Sequence, residues 1–328
     1  MAKGIGRKIN LGIAKEATRG TAEANATFWL QKITAALEEK KEFAQQEQSI
    51  GVIEDAIGAD IVKAFAQGEF TIPVSDKTIG LILLATLGSV STQANTPETG
   101  VNTHTFSVAQ NAQHPSLTLF IDDTLSGQDY KHALGMIESL ELKYERGKYI
   151  EATVNVRAKK GTTAVLTSSF TAENLFRSKD VTFKLASDLS GLDAASATQI
   201  KSLSLKIDKN LEDDDVLGSV DPVDFLNKHF VITGNFEAIW NSEAEFKTQF
   251  LAGAAKAMRI DLKNTDVTIG TSTNPQLQID LAKVIFQELT RPFNNNDIVM
   301  QTLAFKGYYS LSDAKAIEAK LINTQSSY

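Results

Sequence analysis

The chain has 328 residues, 42% hydrophobic and 22% charged, with a formal net charge of −7 and no cysteine. It is long enough for one large globular domain or two smaller ones, and disulfides, thiolate metal sites and a cysteine nucleophile drop out of consideration. Forty carboxylates against 33 lysines and arginines, with no basic cluster interleaved with aromatics, argue against tight nucleic-acid binding, whose affinity comes largely from neutralising phosphates.

In chain order, "GIGRKINLG" at residues 4–12 matches neither GxxxxGK[ST] after a strand nor a GxGxxG opening a helix. It also lacks the apolar core of a secretory signal, and residues 1–26 read as a flexible, glycine-punctuated arm. "ITAALEEKKEFAQQEQ", residues 33–48, favours a helix by propensity, whereas the internal repeat described below makes it a strand and a charged loop; the repeat is followed. "GEFTIPV" is a strand leading into the helical stretch "SDKTIGLILLATLG", with Ser75 or Asp76 as cap and Gly88 as stop. Its apolar run, residues 79–88, is about half the roughly 20 residues a membrane helix needs, so a soluble chain is expected.

"IESLELKYERGKYIEATVNVRAKKG" is a hairpin: Leu140, Leu142 and Tyr144 alternate on one face, and Ile150, Ala152, Val154, Val156 and Ala158 continue it after a turn at Gly147. Residues 162–176 read as a linker. "SLSLKI" alternates Leu203, Leu205 and Ile207, and "FVITGNFEAIW" places Phe230, Ile232, Phe236, Ala238 and Trp240 on one face. "NSEAEFKTQFLAGAAKAMR", residues 241–259, reads as a second helix capped by Asn241 or Ser242, followed by a hairpin over residues 283–310 and a C-terminal arm, 311–328. The expected fold is mainly β, with some helix.

Between the strands at 202–207 and 230–240 lies "DKNLEDDDVLGS", dense in carboxylates. Counted from Asp208 as an acidic cation loop, it has Asp213 where glycine must turn and Ser219 where a bidentate glutamate must clamp; counted from Asp213, Leu217 falls on a ligand position. A solvated loop is the expectation. The four histidines occur singly, no GxSxG elbow exists, and carboxylate pairs such as Glu38/Glu39 and Asp122/Asp123 carry no sign of a cleft. Neither an enzyme nor a cofactor is expected.

The two halves resemble each other. "HPSLTLFID" (114–122) parallels "NPQLQIDLA" (274–282), each followed by two strands joined by a polar turn. "GEFTIPV" and "GNFEAIW" each lead towards a helix, and "ALEEKKEFAQQEQSIG" takes the place of the acidic loop. Two β modules, residues 27–161 and 177–310, follow from this reading.

The ordered series "AKEATRGTA", "GEFTIPVSDKTIGLILLATLGSV", "NTHTFSVAQNAQHPSLTLFID", "GMIESLELKYERGKYIEATVNVRAKKG", "IKSLSLKIDKNLEDD" and "HFVITGNFEAIW" resembles the tail tube proteins of long-tailed bacteriophages, over roughly residues 12–310. The resemblance implies a structural virion protein whose tube-type β-sandwich or barrel modules, each with a flanking helix, join neighbours into rings that stack as a hollow tube for DNA delivery. Its implied partners are further copies of itself and the tape-measure, tail terminator and tail-tip proteins, with DNA as transient cargo and no membrane. Its implied place is the virion tail, assembled in the host cytoplasm. The inner tube of a contractile tail or injection machine, and a tail-tip host- or carbohydrate-binding β-domain, are the alternatives. Tube proteins of this type commonly form six-membered rings; two modules per chain would let three chains suffice. The implied lumen-facing positions are Glu141, Lys143, Glu145, Glu151, Thr153 and Asn155. The implied ring-stacking positions are Glu212, Asp213, Asp214 and Asp215 in one loop and Glu38, Glu39, Lys40 and Lys41 in the other.

Overall fold

A computed structural model describes residues 5–123, 128–243, 246–295 and 297–328. Half of the chain is strand and 8% helix, as the alternating patterns require. The first half contributes β1 (Ile9–Lys15), β2 (Phe28–Trp29), β3 (Thr34–Gln45), β4 (Ala59–Pro73), α1 (Thr78–Leu87), β5 (Gly88–Ala94), β6 (Asn102–Val108), β7 (Leu117–Asp123), β8 (Tyr130–Glu145), β9 (Glu151–Ala158) and β10 (Thr162–Thr163). The second contributes β11 (Val181–Ala186), β12 (Ser202–Asp208), β13 (Glu212–Asp214), β14 (Asp224–Leu226), β15 (Val231–Ile239), α2 (Lys247–Leu251), β16 (Lys256–Lys263), β17 (Gln276–Thr290), β18 (Met300–Tyr308) and β19 (Ile317–Asn323).

Eight antiparallel strands lie side by side in the order β3-β4-β9-β8-β12-β15-β18-β17. The order of the first four recurs in the second four, and the β8–β12 pairing, Ser202↔Glu145 to Asp208↔Ser139, joins them. The recurrence extends to the register. Gly68 stands opposite Leu37 and Val156; Gly234 stands opposite Leu205 and Phe305. The β8–β9 ladder slips between Ile137 and Ser139, and the β17–β18 ladder slips at the matching place, between Phe286 and Glu288. Both glycines sit where backbone comes too close for a side chain: a Cβ on Gly68 would lie 2.1 Å from the Ala36 carbonyl oxygen, and one on Gly234 2.3 Å from that of Ser204.

A second layer covers one face of these eight strands. On one side β1 pairs with β7 and β7 with the start of β8; on the other, β11 pairs with β16 and β16 with the start of β17. The hairpin β5–β6 completes the layer by pairing with β19, itself paired to β17. One continuous apolar core lies between the layers and includes all the inward residues read from the 140–158 hairpin. By position, β7 corresponds to β16, so the resemblance between 114–122 and 274–282 does not align equivalent strands; short apolar alternations look alike wherever they fall.

Helix α1 is buried along its whole length, as an all-apolar surface demands, and Gly88 stops it at φ 100°. Neither expected cap holds its start. Lys77 occupies that position without a capping side-chain bond, while Asp76 accepts from the backbone and side-chain nitrogens of Asn174. The second helix is far shorter than the 241–259 expected: α2 is five residues, Gly253 breaks it at φ +58°, and Lys256–Lys263 becomes a strand because Met258, Ile260 and Leu262 fill the core between β11 and β17. Residues 244 and 245 of that stretch lie outside the described residues, as do 1–4 of the N-terminal one. Residues 33–48, helical by propensity, are strand over Thr34–Gln45 because a twelve-residue ladder with β4 outweighs local preference. Ile9–Lys15, expected as part of a flexible arm, is a strand with Leu11, Ile13 and Ala14 buried.

Just after β1, the buried carboxylate of Glu16 accepts from Gly20 N (2.7 Å), Leu134 N (2.7 Å), Ser116 Oγ (2.5 Å) and Thr118 Oγ1 (3.2 Å). These donors come from the turn after β1 and from β7 and β8, so one side chain locks three segments. Glu16→Ala strands them all and should lower unfolding free energy by about 3 kcal/mol or more in urea titrations, since each unsatisfied buried partner costs roughly 1–3 kcal/mol.

Candidate assembly surface

The uncovered face of the eight-stranded sheet is polar. Glu141, Lys143 and Glu145 of β8 and Glu151, Thr153 and Asn155 of β9 all point there, with Lys143 opposite Glu151 and Glu141 opposite Thr153. The face continues across the β8–β12 joint, where Lys206 stands opposite Glu141 and Ser204 Oγ donates to Glu141 at 2.8 Å, and on to Thr233, Asn235 and Glu237 of β15. On the other side it runs to Glu69 and Thr71 of β4, the Thr71 and Thr153 hydroxyls meeting at 3.1 Å. Across the sheet's middle, Glu69, Glu141, Glu145, Glu151, Asp208 and Glu237 outnumber Lys143, Arg157 and Lys206, giving a wet, mildly acidic surface. Bonding to Lys148 and that residue's charge hold the exposed Glu145 carboxyl below its ordinary range.

The sheet ends in two open edges. Strand β3 pairs with β4 on one side, and among the described residues nothing pairs with the other. Strand β17 is flanked by β16 only as far as Val284, and among the described residues no strand pairs with its outer edge from there through Thr290. Glu38, Glu39, Lys40 and Lys41 lie on β3, exposed. Lys40 pairs with Glu38 at 2.5 Å, and Glu39 accepts from Gly161 N at 2.7 Å. Beyond them the hairpin projects, its tip exposing Ile50, Val52, Ile53 and Ile57.

The acidic loop is held against its own chain. Lys63 Nζ lies 2.6 Å from Asp213 and 2.7 Å from Asp215; Arg157 lies 2.9 Å from Asp213; Lys228 pairs with Glu212 at 3.0 Å. Burial opposes the charge on Lys63, but the bonds to the two aspartates outweigh it and raise the amine's pKa. Asp214 has no ion pair among the described residues, and no cluster of histidine and carboxylate there is arranged for a metal. Arg19 makes a bidentate pair with Asp224 and donates to the carbonyls of His114 and Phe225. Phe225 is buried with Phe65, Leu134, Met136 and Leu211 in a small second cluster that seals the loop down.

Single-residue reading missed Glu16, Arg19 and Lys209, although "AKEATRGTA" carries the first two. Buried Lys209 reaches from the start of the loop to the end of α1, donating to Ala85 O at 2.9 Å, while His114 Nδ1 lies 2.8 Å from Thr86 O. Burial, with Arg19 nearby, pushes the Lys209 amine down to about 7, and burial, with Lys209, pushes His114 down to about 4. Both groups bind protons less readily folded than unfolded. The stability that His114 contributes is lost as pH falls from about 6.5 towards 4, and Lys209 makes stability climb as pH rises from about 7 to 10.5.

Two substitutions check this site. Lys209→Met should remove the rise in unfolding free energy between pH 7 and 10 that the wild type shows relative to the variant; parallel profiles would refute the buried amine. Asp213→Ala leaves Lys63 and Arg157 facing each other in a half-buried niche and should cost about 2–3 kcal/mol in urea titrations, with Asp214→Ala near zero.

No curated protein matches the chain. A family model described as phage tail tube protein matches residues 6–307. That match spans the polar face, the β3 edge, the acidic loop and β17. The chain therefore belongs to the phage tail tube protein family, a family of structural rather than enzymatic proteins placed in the virion tail.

Proposed function

We propose that three copies of this chain close their eight-stranded sheets edge to edge into a ring, and that stacked rings form the hollow tail tube through which DNA is delivered. The observation that carries the reading is the recurrence of strand order and register on either side of the β8–β12 joint, ending in two open edges. A sheet that repeats itself once within the chain can repeat again between chains, and closure removes edges that would otherwise invite uncontrolled pairing. Each chain then supplies two tube-type modules, residues 27–161 and 177–310, with β1 completing the first as β11 completes the second and 162–176 linking them. Three chains make a six-fold-like ring.

On this reading the polar face, with Glu141, Lys143, Glu145, Glu151, Thr153 and Asn155 near its middle, lines the bore. Like charge keeps a moving DNA strand from adhering. The β3–β4 hairpin projects past Glu38–Lys41, which lie on the sheet's edge, and its apolar tip reaches the adjacent ring. Glu212–Asp215 form the second contact, with Asp214, which has no ion pair among the described residues, best placed to meet the neighbour's cations. Assembly proceeds in the host cytoplasm, with tape-measure, terminator and tail-tip proteins setting length and ends.

Negative-stain microscopy of the purified chain at rising concentration should show stacked hollow rings, three-fold on rotational averaging with a six-fold-like outline. A chain that stays monomeric at high concentration, alone and with its assembly partners, would sink the reading; a ring of six chains would sink the trimer. Asp214→Lys should weaken stacking at low salt while single rings persist.

A further inference from the structure

The internal joint fixes the external one. Superimposing the two halves by their ladders makes Leu37 equivalent to Leu205, because each faces the glycine of its "GxF" strand, Gly68 or Gly234. The same ladders make Ser139 equivalent to Glu288, each the first residue after the matching slip, and Glu141 equivalent to Thr290; counting three residues on from there sets Phe293 in the place of Tyr144. Inside the chain, Asp208 stands opposite Ser139, Lys206 opposite Glu141 and Leu203 opposite Tyr144.

Resting on the ring reading above, we infer that the free edge of β3 in one copy pairs antiparallel with the outer edge of β17 in the next, in the register Lys40↔Glu288 and Glu38↔Thr290. Three features of the monomer fit this occupant, a second copy of the same chain. The register sets a lysine opposite a glutamate where the internal joint has the uncharged Ser139 opposite Asp208, so the pairing gains charge complementarity. It sets Phe293, 72% exposed, opposite Ala35, at the place where buried Tyr144 meets Leu203 inside the chain. There the monomer has a cleft between its layers, lined in part by Ala35, Leu37, Phe70 and Leu119, which that ring would enter. At the far end, Phe43, 56% exposed, lies beyond Lys40 on the same strand, and the part-exposed Ile285 lies on the β17 side of the joint, just before Glu288.

The absence of cysteine makes the register testable by paired cysteines, since opposed residues on adjacent antiparallel strands have Cα atoms within disulfide range and residues offset by two do not. The two edges are separated within one chain by seven strand spacings, roughly 30 Å, so a bond between them joins copies. The double variant Glu38→Cys with Thr290→Cys is oxidised after assembly and run on a denaturing gel beside the shifted pair Ala36→Cys with Thr290→Cys. Lys206→Cys with Glu141→Cys, the same pair inside the chain, serves as the positive control. Covalent trimers that collapse to monomer with thiol, absent from the shifted pair, are the expected result. Rings seen by microscopy that yield no cross-link, or a cross-link only in the shifted pair, would overturn the register and leave the ring standing. Dimers from Glu38→Cys alone would show β3 pairing with itself and overturn the joint. If the unmodified chain forms no rings, the ring reading falls and takes the joint with it. Phe293→Asp, at a side chain the monomer leaves exposed, should raise the concentration needed for rings at least tenfold while leaving monomer stability unchanged.

Discussion

A β-sheet edge is a row of backbone donors and acceptors without partners, and much of this molecule is arranged around that constraint. Seven of the eight strands in the main sheet have a partner on each side over part of their length, and the joint that achieves this in the middle, β8 with β12, crosses from one half of the sequence to the other. The rest of the fold serves to hold that joint in register. The second layer clamps the starts of β8 and β17 in the same way, through β7 and β16. Gly68 and Gly234 let neighbouring backbones close in at equivalent points, and the matched slips after Ile137 and Phe286 bend both long strands alike. A curved sheet with a repeating bend can close; a flat one cannot.

The chemistry divides between the two faces of this sheet. Apolar side chains alternate towards the covering layer and form one core without a break between halves, so the halves cannot separate without exposing it. Near the middle of the sheet the outward positions are mostly serine, threonine, asparagine and charged residues of both signs, cross-paired along the ladders, while Phe65 and Met136 at its edge are covered by the acidic loop. Such pairs contribute only a few tenths of a kcal/mol each, so their value lies in keeping the face wet and in fixing register.

The strand patterns and this division of faces were legible in the sequence because alternation is imposed by the pleat itself: Leu140, Leu142, Val154 and Val156 point inward in any sheet that buries one side. The strand at residues 34–45 was legible only through comparison of the halves, since "ALEEKKEFAQ" has helical propensity and becomes extended by pairing with a distant segment. The second helix was misread because "FLAGAAKAMR" is alanine-rich, whereas its fate is set by the core between β11 and β17. The grip on the acidic loop was illegible for another reason: Lys63, Arg157 and Arg19 are far from it in sequence, as is the end of α1 that Lys209 at its start reaches, and nothing local distinguishes these residues from surface cations.

The two halves have made different use of the same connection. In the second half, the segment between β12 and β15 folds down: Leu211 and Phe225 enter the small cluster with Phe65, Leu134 and Met136 of the first half, and three cations neutralise Asp213, Asp215 and Asp224. In the first half, the equivalent segment between β3 and β4 stands away from the body, with Phe43 and Ile61 exposed on a long two-stranded ribbon. The difference follows from what each finds beside it within one chain. The second segment has the first half as its neighbour and is sealed against it; the first segment stands in solvent within the chain, and in the proposed ring its neighbour would be the end of another copy. A ribbon with apolar residues on an exposed, unpaired edge is a poor solution for an isolated monomer. It is a sound one for a chain that meets its own second half in the next subunit.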